Sequence, residues 1–105
     1  CRDVDRGALL CELLPRISAS PSAGPDRSIF VVATQCIEAG ADLDFDALVS
    51  EIAPLDCLRQ RFGRLNRMGR SADAAGAVLA ARDQVGARAK ADPVYEFAAR
   101  ATWQY

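Results

Sequence analysis

Five consecutive apolar residues, Ile29 to Ala33 (IFVVA), limit the possible folds of this chain more than any other stretch. Four of them are β-branched or aromatic, and no polar residue alternates with them. Such a run fits a strand covered on both faces, as in a parallel sheet flanked by helices. A buried helix segment is the alternative, although the run is short. The expected class is therefore α/β, and 105 residues suffice for one small domain and not two.

The rest of the chain can be placed around that strand. Val4 to Pro15 reads as a helix with Val4, Leu9, Leu10, Leu13 and Leu14 on its apolar side, ended by Pro15. Ser18 to Asp26 (SASPSAGPD) reads as an exposed loop. The strand then feeds into Thr34 to Asp46, TQCIEAGADLDFD. In open α/β sheets the ligand crevice lies outside the carboxyl ends of the strands. Thr34 and Gln35 fall at that edge, Cys36 to Ala39 can form one helical turn ended by Gly40, and Asp42 brings a carboxylate to the same place. Ala47 to Ile52 reads as a second strand and Ala77 to Ala81 as a third, while Gln84 to Asp92 carries no clear signal. Pro93 to Tyr105 reads as a terminal helix with Val94, Phe97, Ala98, Ala101 and Tyr105 as its packing residues; Trp103 and Tyr105 are expected to pack on the sheet or on a missing domain, with base stacking the alternative for Trp103.

Between the second and third strands, Pro54 to Arg70 (PLDCLRQRFGRLNRMGR) predicts one helix with two opposed faces. At about 100° per residue, Leu55, Leu58, Phe62 and Leu65 share an arc of roughly 80°. Gln60, Arg64 and Arg67 share an arc of about 60° on nearly the opposite side. Pro54 suits the first helical position, and Asp56 complements the helix dipole. Guanidinium groups are permanently charged forks of donors suited to phosphate oxygens, so this polar face is a candidate phosphate claw. An ordinary solvated face is the plainer reading of the helix taken alone.

Charge is concentrated, not global. The net charge is −1 with no His, yet five arginines stand at 59, 61, 64, 67 and 70 without an intervening acid. Acids gather upstream at Glu38, Asp42, Asp44, Asp46, Glu51 and Asp56. That distribution suggests a specific anion site more than a coating of nucleic acid. The four cysteines, Cys1, Cys11, Cys36 and Cys57, include no C-x-x-C pair and have no His partner. No metal site, disulfide framework or cysteine nucleophile is expected, but mostly buried thiols in a cytoplasmic protein. No apolar run approaches the ~20 residues that span a bilayer, so no membrane contact is expected. A chain that begins at Cys1 and whose single methionine is Met68 is expected to be a piece of a longer one.

Two stretches resemble a known family in fixed order. VVATQCIEAGADLDFD resembles motif V of superfamily 2 helicases, and QRFGRLNRMGR resembles their motif VI. Within that superfamily, the words are most similar to the CRISPR-associated helicase-nuclease of type I systems, and DPVYEFAARATW resembles sequence that follows motif VI in a subset of those proteins. The resemblance implies a partial RecA-like domain, a mostly parallel sheet flanked by helices. Residues 1–105 would be a fragment of the second, C-terminal RecA-like domain, with motif V at 34–46 and motif VI at 60–70.

The resemblance also implies roles. Arg64 and Arg67 would be arginine fingers on the γ-phosphate of ATP, with Gln60 a further γ-phosphate or water-positioning contact. Asp42 would sit near the ATP ribose, with Gly40 allowing close backbone approach. Thr34 would touch the nucleic-acid backbone, and Arg61 would pair with nearby acids. Asn66 stands where the RNA-unwinding DEAD-box pattern has a second Gly, which favours the CRISPR branch.

No G-x-x-x-x-G-K-[ST] and no D-E-x-H or D-E-A-D occurs, so ATP and Mg²⁺ would be bound mainly by the first RecA-like domain of the same protein. Single-stranded DNA, a CRISPR guide-RNA surveillance complex and an HD nuclease domain are the other implied partners. The chain alone is expected neither to hydrolyse ATP nor to cut DNA. A non-catalytic RecA-like module that binds nucleic acid, and another superfamily 2 helicase of DNA repair or RNA, stay open as alternatives.

Overall fold

The structure is a computed structural model and describes residues 11–19, 28–35, 38, 42–87 and 89–105. Helical residues 11–17 (α1) come first. Then follow strand β1 (Ala47–Glu51), helix α2 (Leu55–Phe62), strand β2 (Ala75–Leu79) and the short helix α3 (Arg82–Val85). Helix α4 (Ala98–Gln104) closes the chain.

β1 and β2 form a parallel pair, Ala47 opposite Ala75 and Glu51 opposite Leu79. Parallel neighbours need a crossover, and α2 lies in it, so this is a β–α–β unit of an α/β fold. The ladder runs one step beyond each end, with Ala75 N–H donating to the Asp46 carbonyl at 3.2 Å and Ile52 N–H to the Leu79 carbonyl at 2.7 Å. Side chains alternate across the pair. Ser50 is buried on the side of α2, while Val49 stays 68% exposed on the other. Gly76 lies under the end of α2, where an added Cβ would come within 2.6 Å of the Phe62 ring.

Pro54, with φ −50° and ψ 147°, gives α2 an extended entry, so it precedes the first turn instead of occupying it. Leu58 is the buried residue of this helix. It joins Ile52, Ala53 and Ala99 in a small core, with Cys57, Phe62, Ala80, Val85 and Tyr95 packed around it. A second contact ties α1 to the loop before β1. Ser18 and Leu43 form an antiparallel bridge, and Ala19 and Leu43 are both buried.

Several expectations need correction. The run Ile29–Ala33 is not a strand, and Phe30 and Val32 are fully or nearly fully exposed. A strand buried on both faces requires partners on both sides, and among the described residues β1 and β2 pair only with each other. α1 continues through Pro15 to residue 17, while its predicted start at Val4 lies outside the described residues. β2 begins two residues earlier than predicted, because its register is fixed by pairing with Ala47. α4 starts at Ala98, not Pro93, and buries Ala99. Val94 and Phe97, expected to pack, are more than half exposed, and Trp103 and Tyr105 are exposed too, so of their two expected places the sheet is not the one they take. Cys11 is exposed and Cys57 half-buried, so burial is not the rule for the thiols. Cys1 and Cys36 lie outside the described residues, as does most of the turn expected at 36–39. Among the described residues no helix is long and apolar enough to cross a membrane.

Candidate active site

α2 ends sooner than its hydrophobic pattern predicts. Gly63 takes the C-cap, its N–H bonded to the Arg59 carbonyl at 2.9 Å. Tight turns follow, with Arg64 N–H bonded to the Arg61 carbonyl and Leu65 N–H to the Phe62 carbonyl. The chain then pairs with the loop before β1. Phe45 N–H donates to the Arg64 carbonyl at 2.8 Å, and Asn66 N–H donates to the Phe45 carbonyl at 2.8 Å.

Gln60, Arg64 and Arg67 therefore do not share one helical face, as sequence periodicity suggested. Glycine is a poor helix former, and two backbone bonds to Phe45 outweigh another turn of helix. α2 starts beyond the carboxyl end of β1, but Arg64 and Arg67 lie past its far end, beside the residues that enter β1. The site runs alongside β1 and not only beyond its carboxyl edge.

Asn66 sets the direction of that turn. Its φ of 45° is left-handed, a region Asn tolerates better than most residues. Its side chain fastens the loop, Nδ2 donating to the Ser71 carbonyl at 2.8 Å and Oδ1 accepting from Ser71 N–H at 2.9 Å.

The arginines meet acids of the preceding loop in four distinct ways. Arg61 donates from Nε and Nη2 to Glu38 Oε1 at 2.8 and 2.6 Å, and from Nη1 to Ser50 Oγ at 3.0 Å. It also reaches the Tyr95 hydroxyl at 3.3 Å. Both side chains of this ion pair are only 14% exposed. Removing one partner from a pair so enclosed costs about 3–5 kcal/mol. Arg64 has one bond, Nη2 to the Glu38 main-chain carbonyl at 3.3 Å, and its buried Nε has no partner among the described residues.

Arg67 donates from Nη1 to Asp42 Oδ1 at 2.6 Å, with both side chains well exposed. Exposed pairs of this kind contribute about 0–1 kcal/mol. Arg70 donates to Asp44 Oδ2 at 2.6 Å and to the Ala19 carbonyl at 2.9 Å, and Asp44 also accepts from the Arg67 N–H at 2.7 Å. Asp44 is the anchoring acid of this end, its side chain only 6% exposed.

Two neighbouring protons are held more firmly than usual. Burial, followed by a hydrogen bond to Glu38 and that carboxylate's charge, pushes the Cys57 thiol up. Burial likewise raises the Tyr95 phenol, against the opposing pull of Arg61. Both groups are therefore neutral at neutral pH, and Cys57 is not poised as a nucleophile.

The six predicted site residues are only partly assembled. Arg67 and Asp42 come together, while Arg64 turns to the Glu38 carbonyl. Gln60 on α2 and Thr34 are exposed, without a side-chain hydrogen bond among the described residues. Gly40 lies outside the described residues. Among the described residues no group of three His, Cys, Asp or Glu side chains could hold a metal ion.

A family model described as the C-terminal part of the CRISPR-associated nuclease/helicase Cas3 matches residues 3–70, more than half of the chain. The chain belongs to this Cas3-like family. It is similar to the CRISPR-associated nuclease/helicase Cas3 of Streptococcus thermophilus, 41% identical over 56 residues, which cover 53% of this chain and 6% of that protein. The CRISPR-associated endonuclease/helicase Cas3 of Thermus thermophilus is 56% identical over 43 residues, 41% of this chain and 5% of that protein. Similarity to the Cas3 of Haloferax volcanii extends over 66 residues at 41% identity, 63% of this chain and 6% of that protein. The chain thus spans only a small part of the curated relatives it matches. No solved structure matches it.

The Cas3-like match takes in Glu38, Asp42, Asp44 and every arginine from 59 to 70, and stops short of Tyr95. Sequence reasoning gave Asp44 and Arg70 no role, and it counted Glu38 only among the upstream acids. Five arginines facing six acids was the available signal for these pairs. Nothing in the sequence pointed to Tyr95.

Proposed function

We propose that this chain is the second motor domain of an ATP-dependent superfamily 2 DNA helicase acting in CRISPR type I interference. Arg64 and Arg67 are its arginine fingers, and the first RecA-like domain of the same protein binds most of the ATP and Mg²⁺. One observation carries the reading, the unequal commitment of the four arginines. Arg61 is held by Glu38, Ser50 and Tyr95, and Arg70 by the buried Asp44 and the Ala19 carbonyl. Arg64 hangs on a single bond of 3.3 Å, and Arg67 rests on an exposed carboxylate. A γ-phosphate can replace such partners at little cost, whereas it could not free Arg61.

The chemistry suits this division. Phosphoryl transfer spreads charge over the oxygens of the transferring group, and donors fixed before reaction stabilise that charge. Asp42, once released by Arg67, has a free carboxylate for the ATP ribose, and exposed Thr34 is open to a single-stranded DNA backbone. Glu38, Asp42 and Asp44 are tied to arginines, and a Mg²⁺ ion held by the first RecA-like domain would screen the phosphate charge. The guide-RNA surveillance complex, the HD nuclease and a cytoplasmic location belong to the same reading.

The test uses the intact protein with single-stranded DNA. Arg64→Ala and Arg67→Ala should each lower ATP turnover by roughly 10³-fold, with DNA affinity unchanged. Turnover that survives both substitutions overturns the assignment.

A further inference from the structure

Glu38 serves two arginines with two different parts of the residue. Its carboxylate takes two donors of Arg61, and its main-chain carbonyl takes the terminal nitrogen of Arg64. Arg61 is itself held from three directions, by Ser50 on β1, by the Glu51 carbonyl at 3.4 Å and by Tyr95 from the segment before α4. Glu38 is thereby tied to β1 through Arg61, and its carbonyl that meets Arg64 is held with it.

We propose that Glu38 is a positioning residue for Arg64, its carboxylate clamped by Arg61 so that its main-chain carbonyl aims the Arg64 guanidinium. The inference deepens the finger reading above and rests on it. Stability alone is a weak reason for such a clamp, because a largely buried ion pair gains little over apolar packing of the same volume. Geometry gives a better one. Among the described residues Arg64 has no carboxylate of its own, and its head meets one acceptor, the Glu38 carbonyl. A carboxylate placed directly on Arg64 would compete with phosphate for the same donors. A neutral carbonyl orients the group and yields it. Tyr95 extends the clamp to a part of the chain outside the family match, so the segment 92–96 helps to define the finger's position.

The test is a double-mutant cycle in the intact protein, read as DNA-stimulated ATP turnover. Glu38→Ala should lower kcat about tenfold while the KM for ATP changes little, since a misplaced catalytic group costs transition-state stabilisation. Glu38→Gln, which keeps an acceptor for Arg61, should recover most of that loss. In an Arg64→Ala background, Glu38→Ala should have no further effect, because the residue acts only through Arg64.

Should Glu38→Ala fail to fold, Arg61→Lys, which keeps the charge and loses the fork, is read in the same cycle with the same expectation. If the Glu38 effect multiplies with that of Arg64→Ala, or if it falls on KM and kcat alike, Glu38 is merely structural and the proposal is overturned. A large loss in Arg64→Ala with no loss in Glu38→Ala also overturns it, and leaves the finger reading standing. Unchanged turnover in Arg64→Ala removes both.

Discussion

At φ 45°, a side chain with a Cβ crowds the next carbonyl, at a cost of roughly 1–2 kcal/mol for most residues. Asn66 occupies that conformation and offsets part of the cost with its two bonds to Ser71. The turn it makes separates Arg64 from Arg67 and sends the second toward Asp42. Asn66→Ala keeps the strain and loses both bonds, so it should destabilise the domain by about 2 kcal/mol. Asn66→Gly relieves the strain and should cost about half as much. Thermal unfolding of the two variants checks this, and a Gly variant as damaged as the Ala variant would contradict it. The same position was visible in the sequence as the place where a related pattern has Gly. The reason was not visible there, because Asn in a turn and Asn on a helix look alike until φ is known. Arg61 was legible as an acid-paired arginine, whereas its acid, 23 residues upstream, was not.

α2 and β2 meet where a side chain is missing. An added Cβ at Gly76 would stand 2.6 Å from Phe62 and 3.1 Å from Leu65, the two residues that flank Gly63 and Arg64. Gly76→Val should therefore cost about 1–3 kcal/mol by overpacking, and should also slow ATP turnover by displacing the turn after α2. Loss of stability with a fully active folded fraction would show that the turn is not coupled to β2. At this scale the sequence was a fair guide to what exists and a poor one to where it ends. β1 was legible because its apolar run is short and bounded by acids and Pro54. The end of α2 was not, because Leu65 continues the apolar stripe past Gly63 while its backbone pairs with Phe45. The stripe Leu55 to Phe62 still marks the packed side, although Leu55 itself is 45% exposed.

At the scale of the whole molecule, the described residues carry a parallel β–α–β unit and much exposed apolar surface, including Phe30, Val32, Val49, Leu79 and Trp103. The run Ile29–Ala33 named the fold class correctly, yet it forms no strand, because the neighbours a doubly buried strand requires are not among the described residues. The class follows instead from the β1–β2 pairing and from membership of the Cas3-like family.

The candidate site is one-sided at this scale too. It offers cations and a carboxylate, and on the proposed finger role these act when charge develops on the transferring phosphoryl group more than when ATP first binds. That distinction can be measured directly in the intact protein, by comparing the affinity of Arg64→Ala and the unsubstituted protein for a non-hydrolysable ATP analogue and for ADP with aluminium fluoride, which mimics the transferring phosphoryl group. Nearly equal affinity for the ATP analogue, with binding of the aluminium fluoride complex weakened at least about a hundredfold in Arg64→Ala, is the predicted result. Equal binding of both ligands by both proteins would contradict the claim that Arg64 is a finger.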